Sequence, residues 1–461
     1  MFDSVEQGWS SRLTHRIVGR AGFGMVVAAV LSVVLAAPAS SQGPVPAGND
    51  FLVNTITEFS QQEPSVAASR RGDFTAAWHH DGWLPGNVSG NGLVFRRFSS
   101  AGAPLSSDTQ VHSSIENNHQ GVALGMNPGG TMVAVWTHDW GQYAFARRFD
   151  SAGGPLGNDF PLPATNSDDL RFSWTDVDLA DSGAFVAAWK RAEPGVEPGD
   201  IYVRLFDASG DALTSDILVN TPTDGNQWDP AVAAAPTGAF VVVWVSDASD
   251  GTDNDGTSIQ GRCYTTLGQP VGEPFQVNTT ITGDQRAPDV SVSDSGAFVA
   301  VWESESSPGG DNSNMSVQAR RYSASCQALG SQFQVNTWTA DFQGEASVLV
   351  SPIGSFTVAW ASTGSWGNDD DWTSIQARSF AADGQPLGDQ QQVNTTVPST
   401  QNRPVLAGNP DSRMVVVWDC NDPTSGDPEP RSIRARTFVF RTVFVNAFEN
   451  GNFSGWSTVV N

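Results

Sequence analysis

Lysine is almost missing from this chain of 461 residues. Lys190 is the only one, and 24 Lys and Arg face 49 Asp and Glu, for a formal charge of −25. That balance speaks against nucleic acid or any polyanion as a partner, because phosphate contacts require clustered cations. It suits solubility and attraction for cations. Cysteine is nearly as scarce: Cys263, Cys326 and Cys420 are odd in number and cannot form a complete disulfide framework. Cys263 and Cys326 fall in neighbouring repeats but at different repeat positions, so their pairing stays open. Catalytic signatures are also missing, with no GxSxG elbow, no Gly-rich phosphate loop and no CxxC pair. Apolar runs long enough to approach a membrane span are confined to Ala21–Ala37, preceded by Arg12, Arg16 and Arg20 and followed by the small-residue site Ala37-Pro-Ala39. This pattern predicts a secretory signal peptide over 1–39, with an uncleaved anchor as the rival reading, and a Pro/Gly-rich leader over 40–50.

What the chain has in abundance is repetition. Trp78, Trp136, Trp189, Trp244, Trp302, Trp360 and Trp418 close apolar runs at spacings of 58, 53, 55, 58, 58 and 58 residues, a repeat architecture. Twenty-four residues before each Trp stand Asn54, His112, Thr165, Asn220, Asn278, Asn336 and Asn394. Six residues before stand Gly72, Gly130, Gly183, Gly238, Gly296 and Gly354, with Ser412 in the last copy. Downstream come Arg96, Arg147, Arg204, Arg262, Arg320, Arg378 and Arg436. Each copy reads as four short strands. In the fourth copy these begin with a small apolar run at Pro230 and the continuous run Phe240–Trp244, which suits a strand covered on both faces. An alternating strand and a strand of the type Phe-Gln-Val-Asn-Thr follow. Glycine at the hairpin supplies the positive φ that a tight turn needs.

Four antiparallel strands in about 55 residues make a propeller blade, and seven copies close into a ring. The predicted fold is all-β, a seven-bladed β-propeller over 51–446, with a tail at 447–461. Phe51-Leu-Val-Asn-Thr55 is a complete fourth strand ahead of the first blade and is predicted to close the ring in the last one. Val443-Phe-Val-Asn446 is its competitor. Radial alternation of the chain sends the loops joining strands two and three, and those joining blades, to one face, where long variable loops gather and function is expected. The repeated Trp, Arg and Asn read as structural, with the Arg placed to stack on a neighbouring blade's Trp and the Asn to bond turn backbone.

On the variable face the off-repeat tryptophans Trp83, Trp140, Trp228, Trp338, Trp366 and Trp372 are candidate ligand-binding residues, as aromatic rings beside Asp and Asn suit a sugar or protein surface. Packing of long loops explains them equally. Histidines outside residues 1–39 cluster in the first two copies. His79, His80, His119 and His138, with His112 and Asp81 near, are chemically able to hold zinc or another transition metal, although no compact ligand motif orders them. Asp250, Asp253 and Asp255 sit in a loop with part of a calcium-binding pattern, without the Glu that would complete it. Solvated polar loops are the alternative for both sets.

The pattern FQVNT…P-x-V…G-x-F-V-x-V-W…I-Q-A-R-x-F…G-x-P-L-G resembles a repeat of large secreted bacterial proteins, mostly uncharacterised, over about 51–446. Asp181-Ser-Gly183 and Asp294-Ser-Gly296 also resemble the Asp-box hairpins of sialidase-like propellers, which are structural. The resemblance implies an extracellular propeller without an activity to carry over. The expected function is a secreted, non-enzymatic propeller, monomeric, that binds a ligand, glycan or extracellular protein through its loop-rich face. The alternatives are a carbohydrate-active hydrolase or lyase using loop carboxylates, and a surface or assembly component.

Overall fold

A run such as Phe240-Val-Val-Val-Trp244 has nowhere to turn a polar side, so both of its faces must be covered by protein. The computed structural model shows how. It describes residues 43–439 except 83–89, 115–117, 166–169, 194–197, 222–224, 250, 312, 365–366, 370, 398–399, 410–412 and 422–430. The segments 1–39, Val443–Asn446 and 447–461 lie outside the described residues.

Seven antiparallel sheets follow one another around a ring, and six are built from four consecutive strands. In the fourth blade these are Gln227–Ala234, Phe240–Ser246, Ser258–Tyr264 and the two-residue Phe275–Gln276. The inner strand of the last blade, Gln401–Asn409, lies against that of the first, Gln61–Ala68, so the ring is closed. The predicted seven-bladed propeller is the observed fold. Five of its inner strands begin at a Gln three residues before the apolar run read from the sequence, at Gln61, Gln227, Gln285, Gln343 and Gln401, and the other two begin at His119 and Arg171.

Closure uses the N-terminal strand, as expected. Phe51 pairs with Ala435 and Leu52 with Arg434 on the outer edge of Ser432–Val439. The pairing also begins earlier than Phe51, inside the predicted leader, where Val45 faces Val439 and Pro46 faces Phe438. Asp50 supplies a second check on register. Its carboxylate accepts the Thr395 and Thr396 N–H groups, as the Asp108 carboxylate accepts those of Thr55 and Ile56 in the first blade.

The seams between blades hold the core. Between blades four and five, Val241, Val243 and Val245 pack against Ala300, Trp302 and Tyr322. All seven repeat tryptophans are fully buried, and each such side chain contributes ~1.5–3 kcal/mol or more by leaving water. The repeat arginines tie blade to blade. Arg96, Arg147, Arg204, Arg262, Arg320, Arg378 and Arg436 donate to the carbonyls of Val53, Val111, Leu162, Val219, Val277, Val335 and Val393 in the preceding outer strand. Their stacking partner differs from the expected Trp. Each guanidinium lies over the aromatic two residues on in its own strand, as Arg320 over Tyr322 at 5.5 Å, because side chains at i and i+2 share a strand face. The Asn behaves as predicted: in the fourth blade Asn278 donates to the Thr280 carbonyl and accepts the Ile259 N–H. The hairpin glycines Gly72, Gly130, Gly183, Gly238, Gly296 and Gly354 have φ between 82° and 93°. Cys263 and Cys326 form a disulfide between blades four and five, and Cys420 is a buried free thiol.

Candidate functional site: the mouth of the central channel

Every inner strand is interrupted at one place. Its pairing with the second strand shifts after Gln62, Gln120, Ser173, Trp228, Arg286, Gly344 and Asn402. Such a β-bulge inserts one residue, bends the strand and re-aims a side chain. The residues that absorb it have left-handed backbone: Glu63 (φ 54°), Gly121 (64°), Trp174 (49°), Asp229 (53°), Ala287 (48°), Glu345 (52°) and Arg403 (50°). Four of them precede a proline, which has no N–H to lose from the ladder. All seven line one cavity of about 800 Å³ walled by the inner strands. Because the bulges lie near the start of each inner strand, they form the mouth that opens on the face of long loops. A second layer comes from the residue after each core Trp. His79, Thr137, Lys190, Glu303 and Asp419 occupy that place in five blades and are buried.

Three of the mouth's carboxylates belong to its frame. Glu303 accepts the Glu345 N–H at 2.6 Å, Glu345 accepts the Arg403 N–H at 2.7 Å, and Asp419 approaches the Glu63 N–H at 3.4 Å. Each reaches from one blade to the bulge of the next. Arg286 bonds Glu303 at 3.1 Å and Arg403 bonds Asp419 at 3.2 Å. Burial nonetheless raises the Glu303 carboxyl, and lifts Asp419 to about 6 against the pull of Arg403 and Arg431. Deeper in the channel, Asp176, Asp178 and Asp289 accept the N–H groups of Val232, Ala234 and Val348 on the next blade's inner strand. Burial outweighs those bonds and sets Asp176 to about 7 and the other two to about 6.

Asp229 is different. Half-buried at the mouth, it accepts no hydrogen bond among the described residues, and burial followed by repulsion from Glu303 and Asp289 pushes its carboxyl up to about 7. A carboxyl that exchanges its proton near neutrality is equipped to donate to or accept from a ligand. Beside it in ring order, Trp174 is 47% exposed and covers Lys190, whose Nζ lies 5.3 Å from the ring centroid. Trp140 is 68% exposed, and its turn is tied to the strand carrying Trp174 by the Phe172 N–H donating to the Gly141 carbonyl at 2.6 Å. Both tryptophans sit in left-handed backbone, a conformation that costs a bulky residue of order 1–3 kcal/mol and concentrates at ligand clamps.

The residues singled out from sequence are dispersed. Of the six loop tryptophans, Trp140 and Trp372 are exposed. Trp228 is half-buried against the core of blades four and five, and Trp338 is half-buried against the backbone of Gly364. Trp83 and Trp366 lie outside the described residues. His79 lies 3.7 Å from Asp81 and 4.0 Å from Glu63, and burial lowers its pKa. His80 faces Gln61 at 3.0 Å, and burial takes it to about 4. His119 is sandwiched between His112 and His138, with ring centroids 3.6 and 4.5 Å away. Rings stacked face to face do not turn three nitrogens to one point. Asp253 is buried and accepts from Asn278 at 2.6 Å, a contact repeated by Asp311 with Asn336 and Asp369 with Asn394. Asp255 is exposed and accepts the Gly283 N–H at 3.3 Å, while Asp250 lies outside the described residues. Among the described residues no three or more His, Cys, Asp or Glu are placed to hold a metal ion. Sequence reading missed the bulge ring, although Glu63-Pro64, Asp229-Pro230, Ala287-Pro288 and Arg403-Pro404 mark it at one repeat position.

The sequence matches no family model and no curated protein. Solved structures share the architecture at low identity. An α-L-arabinofuranosidase from Fusarium graminearum is 11% identical over 87% of this chain and 98% of its own, with a TM-score of 0.44. An ulvan lyase of polysaccharide lyase family 25 is 8% identical over 86% and 94%, with a TM-score of 0.46. A protein of unknown function from Dyadobacter fermentans is 14% identical over 87% of this chain and 100% of its own, with a TM-score of 0.50, and what it shares with this chain is the propeller fold.

Proposed function

We propose that this chain is a secreted binding protein whose ligand, a glycan or another polyhydroxylated molecule, docks at the channel mouth on the loop-bearing face. The observation that carries the reading is Asp229: a carboxyl with no partner among the described residues, aimed by its bulge into a cavity of about 800 Å³ beside the exposed ring of Trp174. Carboxylate and hydroxyl exchange strong hydrogen bonds, and an aromatic face receives the apolar side of a ring. The disulfide favours an oxidising compartment, in keeping with the predicted signal peptide. A glycan array on the mature protein, followed by titration of any hit, tests the proposal. Saturable binding is expected, weakened at least about tenfold in Asp229→Ala and in Trp174→Ala, a loss of roughly 1.4 kcal/mol. Binding that ignores both substitutions would sink it.

A second reading has its own support. Asp229, a carboxyl raised to about 7 and without a partner among the described residues, has the property required of the proton donor in glycoside or uronate cleavage, and Glu303 is the carboxyl facing it. In that case a hydrolase and lyase screen finds turnover, and Asp229→Asn abolishes it. Turnover with that sensitivity would replace the binding reading with catalysis.

A further inference from the structure

The seven copies act as controls for one another, and one seam on the face away from the channel mouth departs from the rest. The hairpin between the first two strands reads Ser69-Arg-Arg-Gly72 in the first copy. Elsewhere the same place holds Asn-Pro-Gly-Gly, Asp-Ser-Gly, Pro-x-Gly or, in the last copy, Asn-Pro-Asp-Ser, and a pair of arginines occurs nowhere else there. Three residues before the core Trp, five copies have Val; the first has Thr75 and the sixth Thr357. Thr357 is satisfied, its hydroxyl 2.8 Å from that of Ser379. Thr75 is 1% exposed, and its Oγ1 is buried without a hydrogen-bond partner. An orphaned buried hydroxyl is costly to keep and calls for an explanation.

Arg70, Arg71, Thr75 and Arg97 line one cavity of about 380 Å³ between blades one and two, with Asp73 as the only carboxylate in its wall. Three guanidiniums against one carboxylate is a local excess of positive charge on a chain of net −25. The wall is held by its own hydrogen bonds. Arg97 donates to the carbonyls of Ser151 and Ala152 in the next blade, which leaves the other donors of its five N–H groups available. The Arg70 N–H donates to the Pro128 carbonyl at 3.2 Å, fixing the hairpin across the seam. The Asp73 carboxylate is engaged in its own blade, where it accepts the Ser100 N–H of the next hairpin at 3.1 Å. Arg70 makes only an exposed 3.9 Å contact with Asp181, and Arg71 is exposed with no ion pair among the described residues. The comparable cavity of about 400 Å³ between blades four and five has no arginine and is walled by Phe240, Tyr264 and the disulfide.

From this seam we infer a second binding site, for a small molecule bearing an oxyanion, a carboxylate or sulfate group, held by Arg70, Arg71 and Arg97 and by the Thr75 hydroxyl. Guanidinium forks match planar and tetrahedral oxyanions, and the cavity's size falls within the range of small-molecule sites. A single cleft of this size takes one anionic group and its carrier, so the site is compatible with the chain's poor suitability for long polyanions. It lies on the face opposite the proposed glycan-binding mouth and is independent of that reading.

Calorimetric titration of the mature protein with sodium sulfate, glucuronate and glucose tests this. Saturable binding of sulfate or glucuronate, but not of glucose, is expected. Binding of both anions assigns the site to the oxyanion itself, and of glucuronate alone to a carboxylated sugar. Arg71→Ala should weaken the interaction by roughly tenfold or more. Thr75→Val, which installs the residue five sister copies already carry, should weaken it while leaving the melting temperature equal or higher. Arg97→Leu, the side chain of the third copy, should also weaken it. Absence of saturable anion binding through the millimolar range would overturn the assignment. So would equal affinity for glucose, or unchanged anion affinity in both Arg71→Ala and Thr75→Val.

Discussion

The seams of this propeller and its axis are built from the same repeat and obey opposite rules. At the seams, each blade sets the same residue against the same partner: a buried Trp, and an Arg donating to the carbonyl that ends the previous blade's outer strand. At the axis the backbone repeats just as faithfully, with seven bulges of nearly equal φ, but the side chains are Glu, Gly, Trp, Asp, Ala, Glu and Arg. A seam position touches only its neighbours, so one solution serves seven times. An axial position faces the shared cavity, where seven equal charges would repel one another. Symmetry of the frame is therefore compatible with a single asymmetric site, and departures from the repeat mark where to look for it.

The comparison is broken most forcefully at a seam. Trp244→Ala is expected to cost about 3–5 kcal/mol, as large-to-small changes of fully buried aromatics do, measured by chemical unfolding. Any core Trp should give a loss of that order. Removing the disulfide by Cys326→Ala should cost about 2–4 kcal/mol, seen as a lower denaturation midpoint that reductant no longer shifts. Arg320→Ala deletes one blade-to-blade bond and leaves a carbonyl without its donor, for roughly 1.5–3 kcal/mol. Arg378→Ala should match it, whereas Asp229→Ala at the axis should leave stability unchanged or improved. An axial substitution as damaging as a seam one would erase the distinction.

The same comparison extends to pH dependence, which has opposite signs in two regions. Asp229 has a carboxyl raised to about 7, so its contribution to stability is present in full below its ordinary value near 3.8 and is lost as pH rises through about 7. Asp229→Asn should therefore gain on the wild type between about pH 4 and 7 and keep the gain above. His112 is lowered to about 4 by burial, so its contribution is present above about 6.5 and is lost as pH falls toward about 4. His112→Asn, which restores the repeat residue, should flatten the acid side of the stability curve. Melting temperatures across pH 4 to 8 for both variants separate the two slopes.

The stacked histidines show how far sequence reading reaches. His112, His119 and His138 were legible as residues out of place in the repeat, and their position on the loop-bearing side followed from strand direction. Their use was not legible, because it depends on ring orientation: the faces stack, and the nitrogens diverge. Asp253 makes the same point. In sequence it belongs to an acidic loop with part of a calcium pattern, whereas in the fold it anchors the repeat Asn278. Loop tryptophans were recognised as off-repeat, but Trp174, the one at the channel mouth, was passed over because it lies inside a strand and not in a loop.

Periodicity alone determined the class of fold and the number of blades, and it favoured Phe51–Thr55 over Val443–Asn446 as the segment that closes the ring, since a repeat that buries both faces of its sheets admits few arrangements; the bulge in each inner strand was not legible in it. The axial site was decided only by closure. Ring geometry brings Asp419 to the backbone of Glu63 across 356 residues of chain, and lets Glu303 and Asp289 raise the proton affinity of Asp229. Electrostatic coupling of that kind depends on distance through space, which no spacing along the chain encodes.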